Sequence, residues 1–199
     1  MAMIDLPPQI QERVVCSISA AVKYKIPANI VLAVAEKEAG KPGQWVKNTN
    51  GTHDVGPMQF NTSYLSDLSH FGITPDDVAQ AGCYSFDLAA WRLRQHIQND
   101  KGDLWTKASN YHSRTPQHNT VYRADLIKRA DKWARWLDDR FVTYDITNKK
   151  QIKQSNIVLA QADQMNLTIK KSSPVAPHRP SLVSNTSGYV PRKLIINHQ

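Results

Sequence analysis

No stretch of this chain approaches the roughly 20 consecutive apolar residues that a bilayer-spanning helix needs. That absence argues against a membrane-embedded protein, and a hydrophobic content of 41% fits a globular one. The first ten residues, Met1 to Ile10, show no basic segment followed by an apolar one, so no signal-peptide pattern is visible. Export, if it occurs, would need a leader outside this sequence or another route. Cysteine is scarce: Cys16 and Cys83 are the only two in 199 residues. Neither lies in a short Cys/His spacing, so neither suggests a metal site, and no metal or other cofactor is expected. From the count alone, one disulfide and two buried thiols remain equally open. Glycine is sparse as well, at eight residues, so the few present mark turns or close contacts.

What the chain does have is charge, unevenly placed. The net charge is +8. Residues 1–144 hold 17 Lys+Arg against 15 Asp+Glu, whereas residues 145–199 hold 8 against 2. The body is almost neutral and the C-terminal stretch is basic. After about Thr147, Gln, Asn, Ser, Lys and Pro replace the apolar pattern. Such a composition buries too little apolar surface to offset its ordering entropy. The expected organisation is one domain over residues 1–147 and a flexible basic tail over 148–199, with a short helix near Ile157–Met165. The tail lacks the interleaved aromatics of a single-strand binder, so nucleic acid is not an expected partner.

Up to about residue 140 the apolar period is helical, which makes the fold class mainly α. Ile10, Val14, Ile18, Ala21 and Val22 share one helix face. Pro27 opens a second helix carrying Ile30, Val31, Val34 and Glu38, with Gly40 as its stop and Pro42 beyond. Residues 41–57 are rich in Gly, Pro, Asn and Thr, and read as a loop or a small irregular sheet with a turn at Asn50-Gly51. Thr74-Pro75-Asp76-Asp77 is a helix start with Gly82 as its stop. Phe86, Ala89, Ala90, Leu93 and Ile97 form another amphipathic stripe. Thr115-Pro116 starts a long helix with Leu126, Ala130, Trp133, Leu137 and Phe141 on one side.

Three segments carry chemistry. Glu38 lies four residues after Val34 and seven after Val31, so it continues the apolar stripe inward. It also falls in the last helical turn. The negative end of the helix dipole and partial burial both raise a carboxyl pKa there, as a general acid working near neutrality requires. Taken alone, the position also suits a Glu that borders the core and pairs with a lysine. Glu36 is about 200° away around the helix and is expected to face water. The second segment is Gly56-Pro57-Met58-Gln59-Phe60-Asn61, preceded by Asp54. Gly56 permits close backbone approach, and Gln59 can donate to and accept from a sugar amide. The third is Asn110-Tyr111-His112-Ser113, whose Tyr111 hydroxyl could reach a substrate or Glu38.

The order of Glu38-Ala39-Gly40, Gly56-Pro57-Met58-Gln59-Phe60-Asn61 and Asn110-Tyr111-His112-Ser113 resembles the lytic transglycosylases of the goose-type lysozyme fold. Tyr111-His112-Ser113-Arg114-Thr115-Pro116 is most similar to TrbN-type transglycosylases of conjugative and type IV secretion systems. The resemblance spans residues 8 to 143. It implies a lysozyme-like helical domain with a small irregular β region, and a periplasmic enzyme that cuts peptidoglycan glycan strands. Components of a transfer or secretion apparatus would be further partners. By the same resemblance Glu38 is the catalytic acid and base, Met58, Gln59, Tyr111 and Asn61 contact substrate, and Cys16 pairs with Cys83. Ala39, Pro57 and His112 depart from the usual Ser, Leu and Asn. Asp54 is the nearby carboxylate in sequence; as a second one it would turn the enzyme into a water-using, lysozyme-like hydrolase. A peptidoglycan-binding scaffold with little activity is the alternative of another class.

Overall fold

The computed structural model describes residues 6–146 and the backbone of 192–194. The first helix, α1 (Pro8–Tyr24), buries Val14, Cys16, Ile18, Ala20 and Ala21, and ends on Lys25 in the left-handed conformation. The second, α2 (Ala28–Glu38), is buried on nearly all sides from Ala28 to Ala35. A helix apolar all round belongs at the centre of a domain. Here α1 and the long α7 (Pro116–Asp138) both pack against it. The buried Asn29 amide satisfies its donor on the Ala130 carbonyl of α7, at 3.2 Å. Around this centre lie α5 (Tyr84–Asn99), packed on α1, and α6 (Leu104–Ser109), packed on α5 and α7. The short α3 (Thr62–Leu68) and α4 (Pro75–Ala79) lie between the sheet and α5.

The mainly α expectation is met, and the 41–57 region resolves into a sheet. Strands β1 (Trp45–Lys47), β2 (His53–Val55) and β3 (Phe60–Asn61) pair antiparallel, with Trp45 opposite Val55 and Val55 opposite Phe60. Thr74 and Asp77 close a reciprocal capping box at the start of α4, as their spacing predicts. That helix stops at Ala79, three residues before Gly82. Phe141 lies past the end of α7 and packs on the core from outside the helix.

Cys16 and Cys83 are joined by a disulfide across 67 residues, with Cα atoms 4.9 Å apart. It ties the middle of α1 to the residue that precedes α5. No helix among the described residues is long and apolar enough to cross a membrane. The expected tail over 148–199 and the helix near Ile157–Met165 lie outside the described residues, save for β5 (Arg192–Leu194). That strand pairs antiparallel with β4 (Thr143–Asp145) and lies against α2 and α1.

Candidate active site

Glu38 is the last residue of α2, and its Oε1 accepts a 2.6 Å hydrogen bond from the hydroxyl of Tyr122 on α7. The pair lines a cleft of about 330 Å³ together with Lys37, His112, His118 and Val121. Burial pushes the Glu38 carboxyl up to about 7, against the Tyr122 hydrogen bond and the charges of Lys37 and Arg92, which favour ionisation; Asp54 adds to the rise. A carboxyl poised there can give up a proton and take one back at neutral pH.

Local geometry around Glu38 is fixed by two glycines. The helix ends on Ala39, which takes the left-handed conformation at φ 50°. A glycine would adopt that conformation freely, yet the glycine stands one residue later, because no side chain fits at position 40. A Cβ on Gly40 would lie 2.1 Å from the Gly56 carbonyl oxygen and 2.6 Å from Gln59 Nε2. The Gly40 amide donates to the Pro57 carbonyl at 3.1 Å, so the end of α2 rests directly on the 56–59 turn. Gly56 in turn has φ 71° and leaves no room for a Cβ beside the Val78 carbonyl.

The residues of that turn are engaged within the protein. Met58 and Phe60 are wholly buried and serve as core. Gln59 is held at φ 49°, with its side-chain amide donating to the Gly56 carbonyl at 2.8 Å. Asn61 caps α3 through the Ser63 amide and donates to Asp54 Oδ1 at 2.9 Å. Tyr111 is also buried, and its hydroxyl donates to the Met58 carbonyl at 3.1 Å rather than to Glu38. Of the residues expected to contact substrate, Met58 and Tyr111 are therefore buried and joined to each other by this hydrogen bond. Gln59 and Asn61 are only partly buried, but their polar groups are engaged within the protein. Asp54, half-buried on β2, is close enough to Glu38 to act on its proton affinity.

Glu36 departs from its expectation as well. It is half-buried, not water-facing, and accepts from Arg129 Nη1 (2.8 Å), Lys132 Nζ (2.6 Å) and Trp133 Nε1 (2.6 Å) on α7. The helix wheel separates the two side chains around α2, yet both meet α7, Glu38 near its start and Glu36 further along. It does not show that a second helix occupies the space Glu36 points into.

The tyrosine that touches the acid, Tyr122, stands outside the three segments the sequence singles out, although a sequence signal for it exists. The α7 stripe Leu126, Ala130, Trp133, Leu137 extends back by one turn to position 122. His112 stacks on the Tyr122 ring, with centroids 4.7 Å apart and planes within 6°. The loop carrying His112 is tied down by Asp100. Burial works against the Asp100 charge, but Arg114 (3.1 Å), Asn110 (2.8 Å) and His96 Nδ1 (2.7 Å) outweigh it and hold the carboxyl at about 2. Arg92, over the rings of Tyr64 and Tyr111, supplies a further positive charge near Glu38.

Residues 15–133 match the family described as Transglycosylase SLT domain. The chain is similar to Invasion protein IagB of Salmonella typhimurium, with 25% identity over 138 residues, 68% of this chain and 83% of that protein. It is also similar to Protein IpgF of Shigella flexneri, with 29% identity over 119 residues, 57% of this chain and 78% of that protein. The matched span takes in Glu38, the 56–61 turn and Tyr122, and the chain belongs to the Transglycosylase SLT domain family, with a lytic transglycosylase-type role.

Proposed function

We propose that this protein cleaves the β-1,4 bond between N-acetylmuramic acid and N-acetylglucosamine in peptidoglycan, leaving 1,6-anhydromuramic ends. The observation that carries this reading is one carboxyl, Glu38, held near pKa 7 by burial in a cleft and addressed by Tyr122. Protonated Glu38 donates to the bridging oxygen, and the C1–O bond breaks as N-acetylglucosamine leaves with that proton. The substrate's own N-acetyl carbonyl stabilises the sugar cation, in place of the second carboxylate most glycosidases use. Ionised Glu38 then takes the proton of the C6 hydroxyl as O6 bonds to C1. The anhydro ring closes and Glu38 returns to its acid form, with no water consumed. Tyr122 steadies the carboxylate between the two steps.

The working place of this chemistry is the periplasm, and its purpose is a local opening of the wall for a conjugation or type IV secretion apparatus. A disulfide suits an oxidising compartment. The similarity of the 111–116 segment to TrbN-type proteins, and of the chain to a protein named for invasion, supports the link to a transfer machine. A second reading is carried by Asp54. Its nearness to Glu38 would let it activate water and give reducing muramic ends instead.

Glu38→Gln keeps the shape and loses the proton. Release of soluble glycan from sacculi should fall at least about 100-fold, the usual scale of general acid–base catalysis. Glu36→Gln does not alter the cleft lining and leaves an oxygen that can still accept from α7, so it should keep its activity. Mass analysis of wild-type products should show muramic ends one water lighter than hydrolysed ones. Reducing ends would favour the Asp54 reading, and undiminished release by Glu38→Gln would remove the mechanism.

A further inference from the structure

The wall of the cleft beside Glu38 is lined by side chains that carry, or can accept, a positive charge. Lys37, His112 and His118 line it together. His118 is exposed, and His112 reaches solvent while one face of its ring is covered by Tyr122. His118 lies four residues before Tyr122 on α7, which places it one helical turn along the same face, with Cβ atoms roughly 5–6 Å apart. Of the three, Lys37 is already shared with a carboxylate of α7. Asp125 bridges Lys37 at 2.6 Å and Arg129 at 3.1 Å, and Asp54 is bonded by Asn61.

The start of α7 adds to the same field. Thr115 makes no side-chain cap, and the first turn holds no acidic residue. The positive end of a 23-residue helix is therefore left without a negative partner within its own chain segment. Burial, and then the neighbouring charges of Lys37 and His118, hold the His112 imidazole below its ordinary range. A negative group arriving between these side chains would relieve that repulsion.

We propose that Lys37, His112, His118 and the first turn of α7 form an anion subsite for a carboxylate of the acidic peptide that muramic acid carries on its lactyl group. The inference rests on the peptidoglycan reading above and deepens it. The enzyme would prefer strands that still bear their peptides, and the sugar next to Glu38 would be chosen by the peptide attached to it.

The test uses the full chain with Glu38→Gln, which holds ligand without cutting it. Three ligands separate the sources of negative charge. They are glycan fragments bearing tripeptide stems, the same fragments after an amidase has left only the lactyl carboxylate, and a chito-oligosaccharide with no carboxylate. The tripeptide fragments should bind tightest, their affinity should fall with added salt, and the His112 imidazole pKa measured by NMR should rise on binding. His118→Ala in the same background should weaken the tripeptide fragments roughly threefold or more, the scale of an exposed ion pair, and the chito-oligosaccharide by less. His118→Glu should weaken the tripeptide fragments further.

Equal binding of stripped and peptide-bearing fragments would overturn the peptide assignment in favour of the lactyl group. Binding indifferent to all carboxylates and to salt would overturn the subsite. If the wild type releases anhydromuropeptides normally while these signatures are missing, only the subsite fails. If no ligand binds and sacculi stay intact, the peptidoglycan reading fails and takes the subsite with it.

Discussion

At the scale of single residues, function and stability pull Glu38 in opposite directions. Its unfolded pKa is near 4.5 and its folded one about 7. Below 4.5 both states hold the proton, and the group adds nothing to the pH dependence. Between 4.5 and 7 the unfolded chain releases the proton first, so stability falls as pH rises; above 7 the penalty is complete. Glu38→Gln has no such penalty. Its melting temperature should match wild type near pH 4 and exceed it at pH 8, by the equivalent of about 1–3 kcal/mol. Coincident melting curves at both pH values would mean the carboxyl is not held up by its site. Activity should decline as pH rises through about 7, where the acid form is lost. Tyr122→Phe removes the hydroxyl that favours the ionised form. The alkaline limb of the pH–rate profile should therefore move upward, while kcat falls roughly tenfold, the scale of one hydrogen bond to a charged group. An unmoved limb would separate Tyr122 from the proton transfers.

At the scale of elements, the site depends on how closely α2 meets the 56–59 turn. Gly40→Ala puts a Cβ against backbone on one side and the Gln59 amide on the other. Stability should drop by about 1–3 kcal/mol, as in other overpacked sites, and glycan release should drop with it as the end of α2 shifts. Denaturant unfolding and sacculus digestion on the same preparation check this, and a fully active, equally stable variant would refute the contact. Among these elements, α1, α2, α5 and α7 were legible because each carries a long 3.6-residue stripe. The short α3 and α6 were not, since six or seven residues give too few turns for a period to show. In the sequence Gly40 marks only the stop of α2. Its actual role, removing a Cβ from a contact with residue 56, involves a segment sixteen positions away and leaves no local trace.

At the scale of the whole molecule, one covalent link spans the fold. The Cys16–Cys83 disulfide closes a loop of 67 residues between α1 and the start of α5. Loop-closure entropy puts its contribution on the order of 4 kcal/mol. Replacing both cysteines with serine should lower the unfolding midpoint accordingly, and so should a reductant acting on the wild type. Two thiols that react with maleimide in denatured, non-reduced protein would show that the link does not form. The active site joins the C-terminal end of α2 to the N-terminal half of α7, 84 residues apart, so holding these two helices together is what assembles the chemistry. Glu36 serves that purpose as well, through Arg129, Lys132 and Trp133 further along α7.

By itself the sequence determined the helical class, the inward face of α2, and the place of Glu38 at its end, because a helix's period and caps are set by residues within a few positions of one another. The raised proton affinity was also legible in direction, since burial and the helix end act locally. Tertiary structure decided which side chains surround the acid. Tyr111 and Tyr122 lie eleven residues apart, and only packing made one the partner of the Met58 carbonyl and the other the partner of Glu38. A hydroxyl's partner depends on an ångström of placement between distant helices, and that distance is set by the core as a whole.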